Sequence, residues 1–485
     1  MLQRLSEIGV DHVEAISSAG REPEWLLDYR RSSLAAYASM PLETSPLYGK
    51  YTDAKRMDTA QILLDGVDVG GADASDAAAA ATAAAPPFLK RRLAELQDEP
   101  SVIQIGTLIA RVNLPDELEA RGVVLSPIRS ALNGGGDGDG LDGRLARAAL
   151  ASSRSADDKF TALNNAAFNS GILVHVPRGV ELPKPIHLLV CLPRDGTSVI
   201  SRNVISVGDM ARATLVQEMY SPRSDHQQAY LEMLNTTVGE GSRLDVTTLQ
   251  MFDQSSVNFS TRRTDLARDA AVNWYSGLFG SMLSRYRIDH FLRGSGASAN
   301  DSEVIFGNGE QSFDIQTNVN HESPSTEGRV VEKSILRDRS RSLFKGMIRI
   351  KENATKSNSF LSGRSILLDP DAKSDAIPGL EIFTNDVKAT HSASVAQIDE
   401  EQIFYLKSRC LSHEEAERTI VEGFLEPLSR RMSYQIRAWI AHLIESKWEG
   451  RELGINTDEE LAKFIEVEET RYNEDAEIEQ HYKYR

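Results

Sequence analysis

Imidazoles and thiols are the side chains most able to bind a transition metal or act as nucleophiles, and this chain of 485 residues has ten histidines and two cysteines. Cys191 and Cys410 are too few and too widely separated for a disulfide framework, a zinc ribbon or a CxxC redox pair. Cys191, in the apolar run HLLVCLP, reads as a buried core thiol. Cys410 stands just before a helix start, where the local field can lower a thiol pKa, so a reactive role is open to it. His391, in THSASV, is set apart from the other histidines because it lies among small residues on a strand-like run. A neutral ring nitrogen there can bind iron or accept a proton near neutral pH. Taken alone, a strand histidine beside a domain boundary is more often a structural residue. No GxxxxGK[ST] loop, HExxH helix or GxSxG elbow is present, which argues against ATP hydrolysis, zinc-protease and serine-hydrolase chemistry by this chain. The run NGGGDGDGLDG from Asn133 to Gly143 lacks the third acidic position and terminal Glu of a calcium loop and reads as a flexible turn.

The elements that would position these groups come in three blocks. Length allows two or three domains, and 41% hydrophobic residues is ordinary for a soluble chain with a substantial core. A net charge of −17 argues against nucleic-acid binding, since phosphate affinity comes from Lys and Arg. No apolar run reaches membrane-spanning length, and the charged N-terminus does not resemble a secretory signal, so a cytoplasmic location is expected.

Residues 1–165 read as a helical and mixed region. Trp25, Leu26, Tyr29, Leu34 and Tyr37 recur at helical spacing behind Pro23, with Met40 and Pro41 closing that helix. An Ala-rich linker is expected at 69–87, FLKRRLAELQ reads as helix, and SVIQIGTLIARV as strand. Residues 166–411 are dominated by short β-rich segments punctuated by Gly with an acidic or polar neighbour: Gly208-Asp209, Gly239-Glu240-Gly241, Gly294-Ser295-Gly296 and Gly307-Asn308-Gly309. Recurring corners of this kind fit a stacked solenoid, although their period is irregular. Residues 412–485 read as helical. Ser412 and Glu415 form a capping box, Pro427 marks a break, and Ile436, Trp439, Ile440, Leu443 and Ile444 make one apolar stripe. That stripe could cap the end of the solenoid or dock another subunit. The acidic stretch TDEELAKFIEVEETRYNEDAEIEQ reads as a solvated helix and tail.

The run LEIFTNDVKATHSASVAQIDEEQIFYLKSR, with GFLEPL shortly after, resembles the C-terminal signature of the SufB/SufD family of iron–sulfur cluster assembly scaffolds. It is most similar to the SufD branch: Leu406 stands where the SufB branch has the Cys of its FYC motif, and Gln435 where SufB carries the Glu of an LPxE motif. EPEWLL, GILVHVPRGVELPKPIHL, FGSMLSRYRIDHFLRGSGA and a block with His321, Pro324, Lys333 and Phe344 to Gly346 are similar to other parts of the family.

The resemblance implies a mainly β fold, with a central right-handed parallel β-helix flanked by N-terminal and C-terminal helical regions. It implies a non-enzymatic scaffold holding a transient Fe-S cluster at a subunit interface, and it leaves FAD open for the complex. His391 falls on the histidine of the SufD CSHG-type motif, implicated in cluster assembly, although Thr390 replaces the usual Cys and Ser392-Ala393 is followed by Ser. The implied partners are a SufC-like ATPase, with Phe404, Tyr405, Phe424 and Leu425 in its contact region, and a SufB-like paralogue or a second copy of the chain. A SufB-like homodimer would need its own thiol ligands, for which Cys410 is the candidate. A β-helix carbohydrate-active enzyme would need paired carboxylates and aromatic platforms; aromatics at 7% and no evident carboxylate pair argue against it.

Overall fold

The computed structural model describes residues 3–43, 48–51, 53–64, 80, 82–83, 85, 87–133, 140–193, 196–429, 432–455 and 461–471. Most of the Ala-rich stretch and of the glycine run, and the tail from 472, lie outside the described residues. The N-terminal region contains short strands β1 (Gln3–Arg4) and β2 (Leu63–Leu64), the hairpin β3 (Ser101–Ile105) and β4 (Leu108–Asn113), and β5 (Val124–Pro127). Its helices are α1 (Val10–Gly20), α2 (Glu24–Ser39), α3 (Pro87–Glu95), α4 (Asp116–Ala120), α5 (Ile128–Asn133), α6 (Leu141–Ser152) and α7 (Lys159–Ala167). Helix α2 ends at Met40, as its apolar spacing predicts. The single strand expected over SVIQIGTLIARV is two strands, because Gly106 takes φ +59 and turns the chain back on itself.

Stacked coils follow, each giving one strand to each of two sheets. In chain order they are β6 (Ile172–Val176) and β7 (Ile186–Cys191); β8 (Thr197–Val207) and β9 (Arg212–Tyr220); β10 (Gln228–Val238) and β11 (Arg243–Met251); β12 (Ser256–Leu266) and β13 (Ala271–Leu278). The later coils are β14 (Leu283–Leu292) and β15 (Ser298–Gly307); β16 (Ser312–His321) and β17 (Glu327–Leu336); β18 (Arg341–Ile350) and β19 (Asn358–Leu367); β20 (Lys373–Ile382) and β21 (Lys388–Gln397). One sheet runs from β6 and β8 through the even strands to β20, and the other from β7 through the odd strands to β21. All these pairings are parallel. This is the parallel β-helix that the corner glycines and the family resemblance predict.

The corners explain the glycine pattern. Gly179, Met210, Gly241, Asp269, Gly296, Ser325 and Lys356 occupy one corner in successive coils, all with φ between +53 and +75. The N–H of Met210 donates to Glu240 O, Gly241 to Arg268 O and Asp269 to Ser295 O, at 2.8 to 2.9 Å. Glycine is favoured at a left-handed position but not required, so several coils use Asp, Ser, Met or Lys instead. Coil length also varies, since Glu327 stacks on Asn358 whereas Arg243 stacks on Ala271. Both effects blur the period in sequence.

The strands of the middle coils are buried on both faces, which turns period-two alternation into long buried runs. Inside, Val246, Leu266, Trp274, Leu292, Val330 and Leu361 belong to one continuous core. Outside, α1, α2 and α5 to α7 cover the even sheet, with Phe160 set edge-on to Phe259 at 4.5 Å between ring centres. The odd sheet is covered by α3 and two C-terminal helices that follow α8 (Glu400–Ser408), namely α9 (His413–Ser429) and α10 (Tyr434–Trp448). Helicity begins at Glu400, before the expected boundary at 412, because the Asp399 carboxylate accepts from the Glu401 N–H at 2.9 Å and caps α8. The capping box is present: Ser412 N–H donates to Glu415 Oε2 at 2.7 Å and Glu415 N–H to Ser412 Oγ at 3.2 Å. Helix α9 continues to Ser429, two residues past Pro427, so the expected break is a helix end.

The apolar stripe of α10 lies on the outer face of the odd sheet and does not close the end of the stack. Outward-facing Leu249, Val304, Phe306 and Ile335 offer it a broad apolar surface, and Trp448 stacks on Phe306 at 5.8 Å. Lys447, fully buried, donates to Phe279 O, Phe306 O and Gln311 Oε1. Residues 461–471 are helical, with Leu461 buried.

Candidate functional site

The two ends of the β-helix differ. At the first end, strands from the N-terminal region close the stack: β3 pairs parallel with β7, β4 turns back on β3, and β5 runs antiparallel to β6. Edge strand β4 is itself covered, with Arg111 donating to Leu93 O and Leu96 O and Asn113 to Gln97 O and Glu99 O. At the last end, β20 pairs only with β18 and β21 only with β19, so among the described residues both finish their sheets. An open coil of this kind leaves backbone donors and acceptors, and the inward side chains, without a next layer.

His391 stands on that last rung. In register it stacks on Leu361, continuing the inward column Trp274, Asp301, Val330 and Leu361. Leu361 is fully buried whereas His391 is exposed, because no coil covers it. Ser392 faces the other way and donates to Ser362 Oγ at 2.9 Å, which helps fix β21 in register. Around His391 the rim is apolar: Ala376, Leu380 and Ala389 are partly buried against the core, and Ile382 and Val395 are 41% and 42% exposed. An imidazole on an apolar, uncovered strand face can offer a neutral nitrogen to a metal held between two chains.

The other candidates separate. Cys191 is buried on β7, and burial pushes its thiol up to about 12, as suits a core residue. Cys410 is exposed in the turn between α8 and α9, with φ +70. On α8, Phe404 and Tyr405 are 75% and 55% exposed, while Ile403 is buried. Phe424 is half-buried, with the Lys333 ammonium over its ring at 4.7 Å and bonded to its carbonyl oxygen. Leu425 belongs to the core: helical spacing puts Val421, Leu425 and Leu428 on the face turned to the sheet, which removes it from the exposed contact surface. His321 is structural, bonded to Thr326 Oγ1 at 2.8 Å and Ser359 Oγ at 3.0 Å, and burial lowers its pKa to about 4.

Sequence reasoning missed a polar seam inside the β-helix. Arg262 donates to Glu232 Oε2, Gln217 Oε1, Thr248 Oγ1 and Ser260 Oγ at 2.8 to 3.3 Å. Nearer the open end, His290 Nε2 lies 3.1 Å from Asp301 Oδ2, and Thr317 Oγ1 donates to Glu303 Oε1 at 2.5 Å. Glu303 and Glu332 hold equivalent inward positions on successive strands, an alignment that the register reveals and the irregular period hides. Among the described residues, no group of three or more His, Cys, Asp or Glu is gathered where it could hold a metal ion. No helix among the described residues is long and apolar enough to cross a membrane.

A stack of parallel coils, sheathed in helices on both sheets and open at one end, is a parallel β-helix whose distinctive surface is its last coil. Residues 190–424 match the family model described as "SUF system FeS cluster assembly, SufBD core domain". The chain is similar to iron-sulfur cluster assembly SufBD family proteins of Staphylococcus aureus and Staphylococcus saprophyticus, each 26% identical over 446 residues that cover 90% of this chain and 92% of the relative. Both comparisons support a likeness to the SufB/SufD family, over the β-helix for the family model and over most of the chain for the relatives.

Proposed function

We propose that this chain is a SufD-type scaffold subunit of an iron–sulfur cluster assembly complex. It pairs through its open coil with a SufB-like protein and carries a SufC-like ATPase on its C-terminal helices. The observation that carries this reading is the uncovered, apolar last coil with His391 exposed on it. A second β-helix set against β20 and β21 would satisfy their free edges and bury Ile382 and Val395. It would also place His391 at the junction, where the partner supplies the remaining cluster ligands. Leu406 in place of the family thiol position and Gln435 in place of the LPxE glutamate support the SufD type, because the chain then needs a thiol-bearing partner.

Only Ile398 and Asp399 separate β21 from α8, whose Phe404 and Tyr405 face solvent. An ATPase gripping α8 would therefore pull almost directly on the strand that carries His391. ATP-driven closure of two such subunits would rearrange the junction and open it to iron and sulfide.

Co-expression of the tagged chain with a Cys-bearing paralogue and an ATPase of this system tests the assignment. A complex containing all three is expected; recovery of the chain alone, or solely as a homodimer, overturns it.

A further inference from the structure

The inward seam ends in a carboxyl that faces no cation. Glu332, on β17, is 1% exposed, and neither carboxyl oxygen has a hydrogen-bond partner within bonding geometry among the described residues; the Ser334 hydroxyl and the Arg364 N–H face it. It stacks on Glu303, which shares β15 with Asp301. From the facing even sheet, β14 brings His290, paired with Asp301, and β12 brings Arg262, already committed to Glu232. Farther along the even sheet β16 ends in His321, bonded to Thr326 and Ser359, while the inward positions Thr317, Phe344, Gly346 and Ile348 on β16 and β18, and Ala376, Pro378 and Leu380 on β20, carry no charge. On β19 the inward neighbours are Leu361 and Gly363. Lys333 is turned outward onto α9, and the Arg364 side chain is exposed.

Above Glu332 the interior is closed by two interlocked side chains. A Cβ on Gly363 would meet Phe344 Cδ1 at 2.4 Å, and one on Gly346 would meet Leu361 Cδ2 at 2.6 Å, so Phe344 and Leu361 fill both glycine gaps. Leu361 is also the residue directly beneath His391. A negative charge at Glu332 would thus appear in a dry space between Glu303 and the two side chains that support the last coil.

We propose that the neutral, protonated carboxyl of Glu332 is a latch on the final coils, and that its ionisation draws water into the seam and loosens β18 to β21, with the rim carrying His391. As a device that regulates the shared end, this rests on the reading above; the latch itself is tested on the chain alone. Burial raises the Glu332 carboxyl to about 8, against 4.5 for a free glutamate. The folded chain therefore holds a proton that the unfolded chain releases, so this group's contribution makes stability fall as pH rises from about 4.5 to about 8 and level off above. Glu303 is pushed well up in the same sense, by burial and then by the Asp301 charge.

The test compares the full-length wild type with Glu332→Gln and Glu332→Leu by thermal melting from pH 5 to pH 9. Intrinsic-rate-corrected deuterium exchange of residues 341–397 accompanies it. The melting advantage of the variants over wild type is expected to widen by about 2 °C or more as pH rises. Protection of 341–397 in wild type is expected to fall about tenfold between pH 6.5 and 8.5, with no such fall in Glu332→Gln. Parallel melting curves for wild type and both variants, or unchanged wild-type protection, overturn the latch. Should neither variant fold, the wild-type exchange decides alone. An intact three-component complex alongside a failed latch leaves the scaffold assignment standing, and loss of the complex alongside a confirmed latch does the reverse.

Discussion

His391→Ala leaves the chain folded and paired with its partner but lowers the yield of assembled iron–sulfur cluster by about tenfold or more. The separation of effects follows from where the side chain sits. His391 is exposed on a terminal strand and its imidazole makes no hydrogen bond among the described residues, so truncation strips no partner from a buried group. What holds β21 in place is its parallel ladder with β19 and the Ser392–Ser362 bond, neither of which involves the imidazole. Under the proposed function the variant removes one cluster ligand, and among the described residues no group of three or more His, Cys, Asp or Glu stands ready to take over. Cluster reconstituted on the purified complex and followed by visible absorbance reads the effect. Wild-type yield from the variant removes His391 from the site.

The second large effect is on pairing. Ile382 and Val395 are about half-exposed in the chain alone and flank His391 at the open end, so Ile382→Lys and Val395→Lys cost the isolated fold little. At a junction sealed from water, each ammonium would lack a counter-charge and cost about 3 kcal/mol, or near 100-fold in dissociation constant. Size-exclusion chromatography with the paralogue measures this. The single variants should weaken the complex and the pair abolish it, while melting temperatures stay close to wild type. Retained affinity in the double variant would move the interface elsewhere.

Much of the β-helix is legible in the sequence, and physical reasons mark where legibility stops. Gly239-Glu240-Gly241 and Gly294-Ser295-Gly296 announce corners because glycine takes positive φ freely, but Met210 and Lys356 hold equivalent positions and give no such sign. The closing of one end by β3 to β5 is invisible, since it depends on pairing between strands far apart in the chain. His391 emerged from the family signature, not from its own chemistry; only the open coil explains why an inward-facing strand residue is exposed. Glu332, in VVEKSIL, carries no sign of its burial in the sequence. It is buried because Lys333, turned outward, is the residue that the C-terminal helix covers. Leu425 shows the reverse: a signature residue whose helical phase sends it into the core.

The most direct measurement of the shared-end account is deuterium exchange over residues 373–397, taken on the chain alone and again with the Cys-bearing paralogue bound. Slowed exchange in β20 and β21 on pairing, with the N-terminal hairpin β3–β4 unchanged, is the predicted result. Unchanged exchange in both terminal strands, within a complex that has formed, contradicts it.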